Sequence, residues 1–378
     1  MSKVELIKLN KVFASKIGDD VMAVNNFNMN IEHGEIVALL GSSGCGKTTT
    51  LRMIAGFESC TDGEIKFDGK IINNLKPSER NVAMAFEGYA LYPPLTVKEN
   101  IAFGLIREKI SKSEITKKVD EIINLLEIGD IIDRYPPTIS AGQQQRVSLA
   151  RALVRNSKVL LLDEPMSQLE PQLRAVLRAR VKDYMQHMKK TVVFVTHDQT
   201  EAIALADKIA VMELGDLKQL ASPYDISSKP ENVFVASFIG EPPMNILKAE
   251  FILKDDNIIF KILNENSSDT FNIVFSKKSI DLSKLNNIKD NQIITLGIRP
   301  HKIDFNSNSS NIEGNTKIFT SHWLGDQMHV GMDINNTTVI GVADRDFNLN
   351  SDNIKINFPS QSLNAFEKDT EEVIFNGL

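Results

Sequence analysis

Gly41-Ser42-Ser43-Gly44-Cys45-Gly46-Lys47-Thr48 fits the pattern G-x-x-x-x-G-K-[ST] in full. The chemistry of such a run is the holding of a triphosphate. Its glycines let successive backbone N–H groups point inward at phosphate oxygens, and a helix starting there adds the positive end of its dipole. Lys47 is placed to reach the β- and γ-phosphates and the Thr48 hydroxyl to ligate Mg²⁺, with Thr49 next in the same cradle. Two further runs offer complementary groups. Val159-Leu160-Leu161-Leu162 is followed by Asp163 and Glu164. Asp163 suits Mg²⁺ held through water, and Glu164 suits a water that needs a proton acceptor beside the γ-phosphate. Two acids at a strand end would by themselves be read as solvated; a phosphate loop in the same chain changes that reading. Thr196-His197-Asp198 closes a third run, and His197 can donate to the γ-phosphate and orient the attacking water. That role requires His197 to lie beside the other two strand ends.

The elements that must position these groups are legible. Ile36–Leu40, Val159–Leu162 and Val192–Val195 are continuously apolar, as expected of short strands buried on both faces in a parallel sheet. Ligands gather at the carboxyl ends of such strands, so the three ends should converge. Apolar spacing predicts helices over Thr48–Ala55, Ile115–Leu126 and Gln144–Arg155. The character of the chain changes at Gly240-Glu241-Pro242-Pro243, which places a domain boundary there, with residues 1–240 before it and 241–378 after. Short alternating runs such as Phe271–Phe275 and Gln292–Gly297 predict a small all-β, barrel-like second domain, with Asn306–Asn315 as a polar loop.

Composition sets the class. In 378 residues, 42% are hydrophobic and 24% charged, the profile of an ordinary globular protein with room for two cores. A net charge of −6 does not point to nucleic acid as a partner. Cys45 and Cys60 are too few for a disulfide framework. Met1-Ser2-Lys3-Val4-Glu5 lacks the apolar core of a signal peptide, and no run approaches the roughly 20 apolar residues that span a bilayer. Any membrane role would come by docking onto an embedded partner. Cys45, at a helix N-terminus, is expected to be a reactive thiol whose alkylation blocks ATP binding.

Ile139-Ser140-Ala141-Gly142-Gln143, running into a helix, resembles the LSGGQ signature of the ABC (ATP-binding cassette) family. Together with Gly41–Thr48, Asp163–Glu164 and His197, this likeness covers residues 1–240. Phe86-Glu87-Gly88-Tyr89-Ala90-Leu91-Tyr92-Pro93 is similar to the Q-loop region of the maltose and glycerol-3-phosphate importer ATPases. So are His197-Asp198-Gln199-Thr200-Glu201-Ala202 and Phe238–Asn245, while Gly297-Ile298-Arg299-Pro300 resembles their C-terminal TOBE (OB-like) domain. The resemblance implies an α/β fold: a mostly parallel core sheet, an antiparallel β subdomain and a helical subdomain over about 88–157, followed by the TOBE domain. It implies an ATPase working at the cytoplasmic face of the membrane with MgATP. Two permeases, an extracytoplasmic solute-binding protein and a second ATPase subunit, identical or paralogous, would be partners, and a regulatory protein could bind the C-terminal domain. Ser140, Ala141, Gly142 and Gln143 would contact the ATP of the opposite subunit, Glu87 would join Thr48 and Asp163 at the metal, and Phe13 would stack on adenine unless it is a core residue of the first strand. The imported solute stays open among sugars, oligosaccharides, polyols and glycerol phosphate.

Four positions depart from the family pattern. Glu87 stands for the usual Gln, keeping a hard oxygen ligand but adding charge and losing an amide donor. Ala141 replaces the first signature glycine, Glu170 replaces Asp in the D-loop, and Pro94 replaces a common His. Lys47, Asp163, Glu164 and His197 all remain, so an active enzyme is expected. Two rivals are a soluble ABC protein acting on ribosomes or DNA, against which the single compact cassette argues, and a catalytically weak regulatory subunit.

Overall fold

The first elements are two long strands, β1 (Val4–Phe13) and β2 (Val21–Ile31), paired antiparallel. β1 also pairs with β4 (Asp62–Phe67), and β4 with β5 (Lys70–Ile71), which completes a four-stranded antiparallel sheet in the order β2-β1-β4-β5. Between them the chain enters a second sheet through β3 (Ile36–Gly41), every residue of which is buried. That sheet also contains β6 (Val82–Ala85), β7 (Val159–Asp163), β8 (Thr191–Thr196), β9 (Lys208–Glu213) and β10 (Asp216–Ala221), in the order β10-β9-β3-β8-β7-β6. All its neighbours are parallel except β9 and β10. The three apolar runs are thus β3, β8 and β7, side by side and pointing the same way. Both faces of each are covered, so the residues read as unbroken hydrophobic runs. Each Leu or Val taken from water there contributes about 1.5–3 kcal/mol.

Helices fill the connections. α1 (Lys47–Ala55) follows β3 directly. Its C-terminus is closed by Arg80, buried, whose guanidinium donates to the carbonyls of Met53, Ile54, Asn73 and Leu75. α2 (Val97–Ala102), α3 (Lys112–Leu125) and α4 (Ala141–Leu153) lie in the stretch read as a helical subdomain. α3 and α4 begin a few residues earlier than hydrophobic spacing suggests, because Ser111 and Ser140 cap them with reciprocal Glu114 and Gln143 partners. Such capping boxes satisfy free N–H groups that apolar periodicity does not register. α5 (Pro171–His187) and α6 (Gln199–Leu205) flank β8 in sequence.

The computed structural model describes residues 2–15, 18–108, 110–264, 271–305, 310–314, 316–347 and 356–378. They form two compact units, one reaching Pro223 and the other starting at Tyr224. The paired prolines at 242–243 therefore lie inside the second unit. It opens with α7 (Pro223–Ser228) and α8 (Val233–Phe238), and Arg299 anchors this segment by donating to the carbonyls of Ser227, Ala236 and Ile239. The strands that follow are β11 (Asn245–Lys254), β12 (Asn257–Ile262), β13 (Phe271–Ser276), β14 (Gln292–Ile298), β15 (Ile312–Glu313), β16 (Thr316–Trp323), β17 (Gln327–Ile334), β18 (Thr337–Asp344), β19 (Leu363–Glu367) and β20 (Val373–Asn376). They make antiparallel sheets in the orders β15-β13-β12-β11-β14-β19-β20 and β16-β17-β18. Both alternating runs noted in the sequence are strands, β13 and β14, with Phe251, Phe260, Phe271 and Phe358 fully buried in the shared core. The polar stretch read as one loop contains β15, paired to β13, while its residues 306–309 and 315 lie outside the described residues.

Candidate nucleotide site

β3 ends at Gly41 and α1 starts at Lys47, so the intervening turn sits at the carboxyl edge of the parallel sheet. Gly46 at the N-cap has φ +102°, and a Cβ there would lie 2.3 Å from the Ala23 carbonyl oxygen, so only glycine fits. The Lys47 ammonium is folded onto the loop, donating to the carbonyls of Gly41 (2.8 Å) and Ser42 (2.7 Å). A phosphate oxygen is a charged and therefore stronger acceptor than either carbonyl, so a nucleotide would draw this ammonium outward. Cys45 departs from expectation. It is 1% exposed, its Sγ packed 3.6 Å from the Lys47 ammonium. Its side chain fills the underside of the loop, out of reach of a reagent in solution.

The other two strand ends meet this loop. Thr48 Oγ1 donates to Asp163 Oδ1 at 3.2 Å, joining the first helical turn of α1 to the tip of β7. Asp163 is 3% exposed. Burial pushes its carboxyl above the ordinary range, and the charges of Glu87 and Glu164 push the same way, against the Thr48 hydroxyl and Arg52. A buried acid whose ionised form is short of positive charge fits a hard divalent cation with oxygen ligands. Among the described residues, no three His, Cys, Asp or Glu side chains converge as a ready-made metal cage. A cation here would take its remaining ligands from phosphate and water, in the manner of Mg²⁺.

Glu164 follows with φ +48°, a left-handed conformation that is costly for a non-glycine residue. Its backbone N–H donates to the Val195 carbonyl (3.0 Å), and the buried Gln145 of α4 donates to its own carbonyl (2.8 Å). This aims the side chain toward His197, whose Nδ1 lies 3.1 Å from Glu164 Oε1. The imidazole is well exposed. Lys47, Thr48, Asp163, Glu164 and His197 are thus assembled at one edge, as the convergence of strand ends predicts. Glu87 is exposed on the segment after β6, within electrostatic reach of Asp163.

Ser140 is the N-cap of α4. Its Oγ accepts from the Gln143 N–H (3.3 Å) while Gln143 Oε1 accepts from the Ser140 N–H (2.9 Å). Ala141 is exposed, so its methyl meets open space. Gly142 is different: a Cβ there would stand 2.9 Å from the Gln168 carbonyl oxygen. Its missing side chain lets the loop after Glu164 approach α4, a reason for glycine besides closeness to phosphate. Phe13, the last residue of β1, is 41% exposed with the Lys11 ammonium 4.7 Å from its ring centroid, so it is not a core residue.

Sequence reasoning missed Gln145, Arg174 and Glu201. Arg174 of α5 reaches Asp198 (3.2 Å) and the carbonyls of Ser167 and Leu169. Glu201 of α6, 2% exposed, accepts from the Thr196 hydroxyl at 2.7 Å. Polar residues within helices read as solvated; the depth of Gln145 and Glu201, and the three bonds of the half-buried Arg174, set these apart. Beside the Glu87 segment lies a groove of about 820 Å³ lined by Phe57, Phe86, Tyr89, Tyr92, Phe103 and Arg151. Arg151 stacks over Tyr92 at 4.5 Å and donates to the Ala90 carbonyl.

The ABC transporter family model matches residues 24–167, which contain Gly41–Thr48, Ser140–Gln143 and Asp163–Glu164. The uncharacterized ABC transporter ATP-binding protein YurJ of Bacillus subtilis (strain 168) is 36% identical over 94% of this chain and 96% of its own length. The oligosaccharides import ATP-binding protein MsmX of the same organism is 38% identical over 92% of this chain and 94% of its own length. Among solved structures, the ATP-binding cassette MJ0796, a dimer in a post-hydrolysis state bound to ADP and Pi, superposes with a TM-score of 0.54 at 31% identity, covering 58% of this chain and 98% of that one. A phosphate loop, a signature helix and a carboxylate–histidine pair on one sheet edge, in a chain aligned nearly end to end with such relatives, place this protein in the ABC transporter family of ATP-binding, ATP-hydrolysing subunits.

Proposed function

We propose that this chain is the motor of an ABC importer, two copies closing over MgATP and reopening on hydrolysis to drive permeases that carry a sugar, polyol or glycerol phosphate. The observation that carries the reading is the meeting of three strand tips: Thr48 with Asp163 at 3.2 Å and His197 with Glu164 at 3.1 Å, beside Lys47. The loop Gly41–Thr48 receives the phosphates, with Thr49 beside it, and Phe13 offers its exposed ring to the adenine. Thr48, Asp163 and Glu87 would hold Mg²⁺, which would supply positive charge against the phosphates. Glu164 accepts a proton from the attacking water, and His197 holds that carboxylate in place and donates to the γ-phosphate. Ser140, Ala141, Gly142 and Gln143 of one copy cap the γ-phosphate bound by the other. Charge-assisted hydrogen bonds of about 1.5–3 kcal/mol each accumulate to drive closure, and loss of the γ-phosphate releases it.

The groove beside Glu87–Pro94 is the seat for a permease segment, because five aromatic rings line it next to Arg151 and it takes in Phe86, Tyr89, Ala90 and Tyr92 from either side of Glu87. No described helix is long and apolar enough to cross a membrane. Attachment at the cytoplasmic face then comes through the permeases, which receive solute from an extracytoplasmic binding protein, and the second unit, residues 224–378, is the regulatory domain. The carbohydrate class follows from the named cargo of the relative MsmX, which this chain matches over nearly its full length. The test is a Glu164→Gln variant mixed with ATP. A two-molecule, ATP-loaded species is expected on size exclusion, and a chain that stays monomeric and binds no nucleotide refutes the proposal.

A further inference from the structure

The loop between Glu164 and Leu169 is held from two sides by side chains that have no part in phosphate chemistry. From α4, five residues beyond Ser140, Gln145 is 3% exposed and spans the loop. Its amide nitrogen donates to the Glu164 carbonyl (2.8 Å) and to Ser167 Oγ (3.1 Å), and its carbonyl accepts from the Gln168 N–H (2.9 Å). From α5, the Arg174 guanidinium donates to the carbonyls of Leu169 (2.9 Å) and Ser167 (3.2 Å). Its other terminal nitrogen bonds Asp198 at 3.2 Å, the residue directly after His197. Asp198 is itself fixed, its N–H donating to Thr196 Oγ1 at 3.0 Å. The loop therefore has the signature helix on one side and the His197 turn on the other.

We infer that Gln145 and Arg174 are positioning residues that clamp the loop 164–169, so that the signature helix and the Glu164–His197 pair move as one body. The inference rests on the proposed role of Glu164 and His197 in hydrolysis and deepens it. In a closed pair, α4 senses the nucleotide of the other copy while Glu164 and His197 act on the chain's own. The clamp is then the route by which occupancy of one site sets the geometry of the other. Gln145 is buried and Arg174 half-buried, and each makes three bonds to the loop or its neighbour, so a displacement of one partner is passed to the others through fixed side-chain geometry. Gly142 adds to this, since any side chain there would wedge the loop away from α4.

The experiment uses the full chain with Gln145→Met, Arg174→Met and the double variant, each checked for wild-type melting and ATP binding. Arg174→Lys is a milder fourth form that keeps the charge and loses the fork. Steady-state ATPase should show kcat lowered by about 10-fold or more in each single variant, with half-saturating ATP within about 2-fold of wild type. The Hill coefficient for ATP should fall toward 1. Because both residues hold the same loop, the double variant should be little worse than the poorer single. A pair of losses that multiply, or unchanged kcat and cooperativity, overturns the clamp and leaves the proposed function standing. A wild-type chain that binds ATP and never turns it over, alone or with its permeases, removes both.

Discussion

Replacing Glu201 by Gln should make the first unit more resistant to unfolding at alkaline than at acidic pH, relative to wild type. Glu201 is 2% exposed; its Oε2 accepts from Thr196, and its Oε1 has no partner. Burial, helped by the Asp198 charge and opposed by the Thr196 hydroxyl and by Arg174 and Arg178, pushes its carboxyl up from 4.5 to about 7. The folded value lies above the unfolded one. Its contribution to stability is therefore full below pH 4.5 and is lost as pH rises through 7. At 1.36 kcal/mol per unit the loss totals about 3 kcal/mol, of which about 2.5 kcal/mol falls between pH 5 and 8. Glutamine mimics the protonated acid at every pH, so its advantage over wild type should grow by that amount across the interval. Whatever the buried amide costs in hydrogen bonding is the same at both ends and cancels. Urea unfolding followed by far-ultraviolet circular dichroism reads the helices of the first unit. Trp323, the chain's one tryptophan, lies in the second unit and serves as a fluorescence control that should not respond. A difference between variant and wild type that stays flat from pH 5 to 8, or shrinks, refutes the reasoning.

Other perturbations read other parts of the site. Glu87→Gln removes one of the two charges that raise Asp163, so the Mg²⁺ concentration for half-maximal ATPase should change by several-fold; an unchanged rate and Mg²⁺ dependence would show that Glu87 does not reach the metal. Arg80→Leu strips donors from four carbonyls at the end of α1 and beyond, and should cost about 3 kcal/mol of unfolding free energy in urea; a loss under about 1 kcal/mol would mean that water satisfies those carbonyls.

What was legible in the sequence was legible for a reason. Strands covered on both faces read as unbroken apolar runs, so β3, β7 and β8 and the chemistry at their tips could be located from composition alone. The phosphate loop announced itself because close backbone approach demands glycine at fixed places. Phe13 was ambiguous because β1 alternates burial and its last residue falls on neither pattern; the structure exposes it. Cys45 was read for its place at a helix N-terminus, but the tight turn tucks that side chain inward. Gln145, Arg174 and Glu201 were invisible for a different reason. Their partners lie on other elements (backbone carbonyls and an N–H, hydroxyls, and the Asp198 carboxylate), and helical periodicity counts such residues as solvent-facing. The segment 224–240 joined the second unit through Arg299, a long-range anchor that the paired prolines beyond it conceal.

The departures from the family pattern share one property. Glu87, Pro94, Ala141 and Glu170 are all exposed, whereas Lys47 and Asp163 are buried. Glu170 occupies the N-cap of α5 without a side-chain cap bond, so the longer acid keeps its charge near the helix dipole and forgoes a cap. A one-methylene change at that position therefore alters what the loop presents outward more than how the helix starts. Ala141 likewise puts a methyl on the open face of α4 while Gly142 keeps the contact that a methyl would break. On the proposed function, substitutions at the rim act on what would meet the rim: the metal, a second copy and a permease. They leave the buried cradle as it is. Selection on such a surface can change how readily two copies close without touching the groups that split the phosphate bond, which is why an altered signature and an intact Glu164–His197 pair are compatible in one working chain.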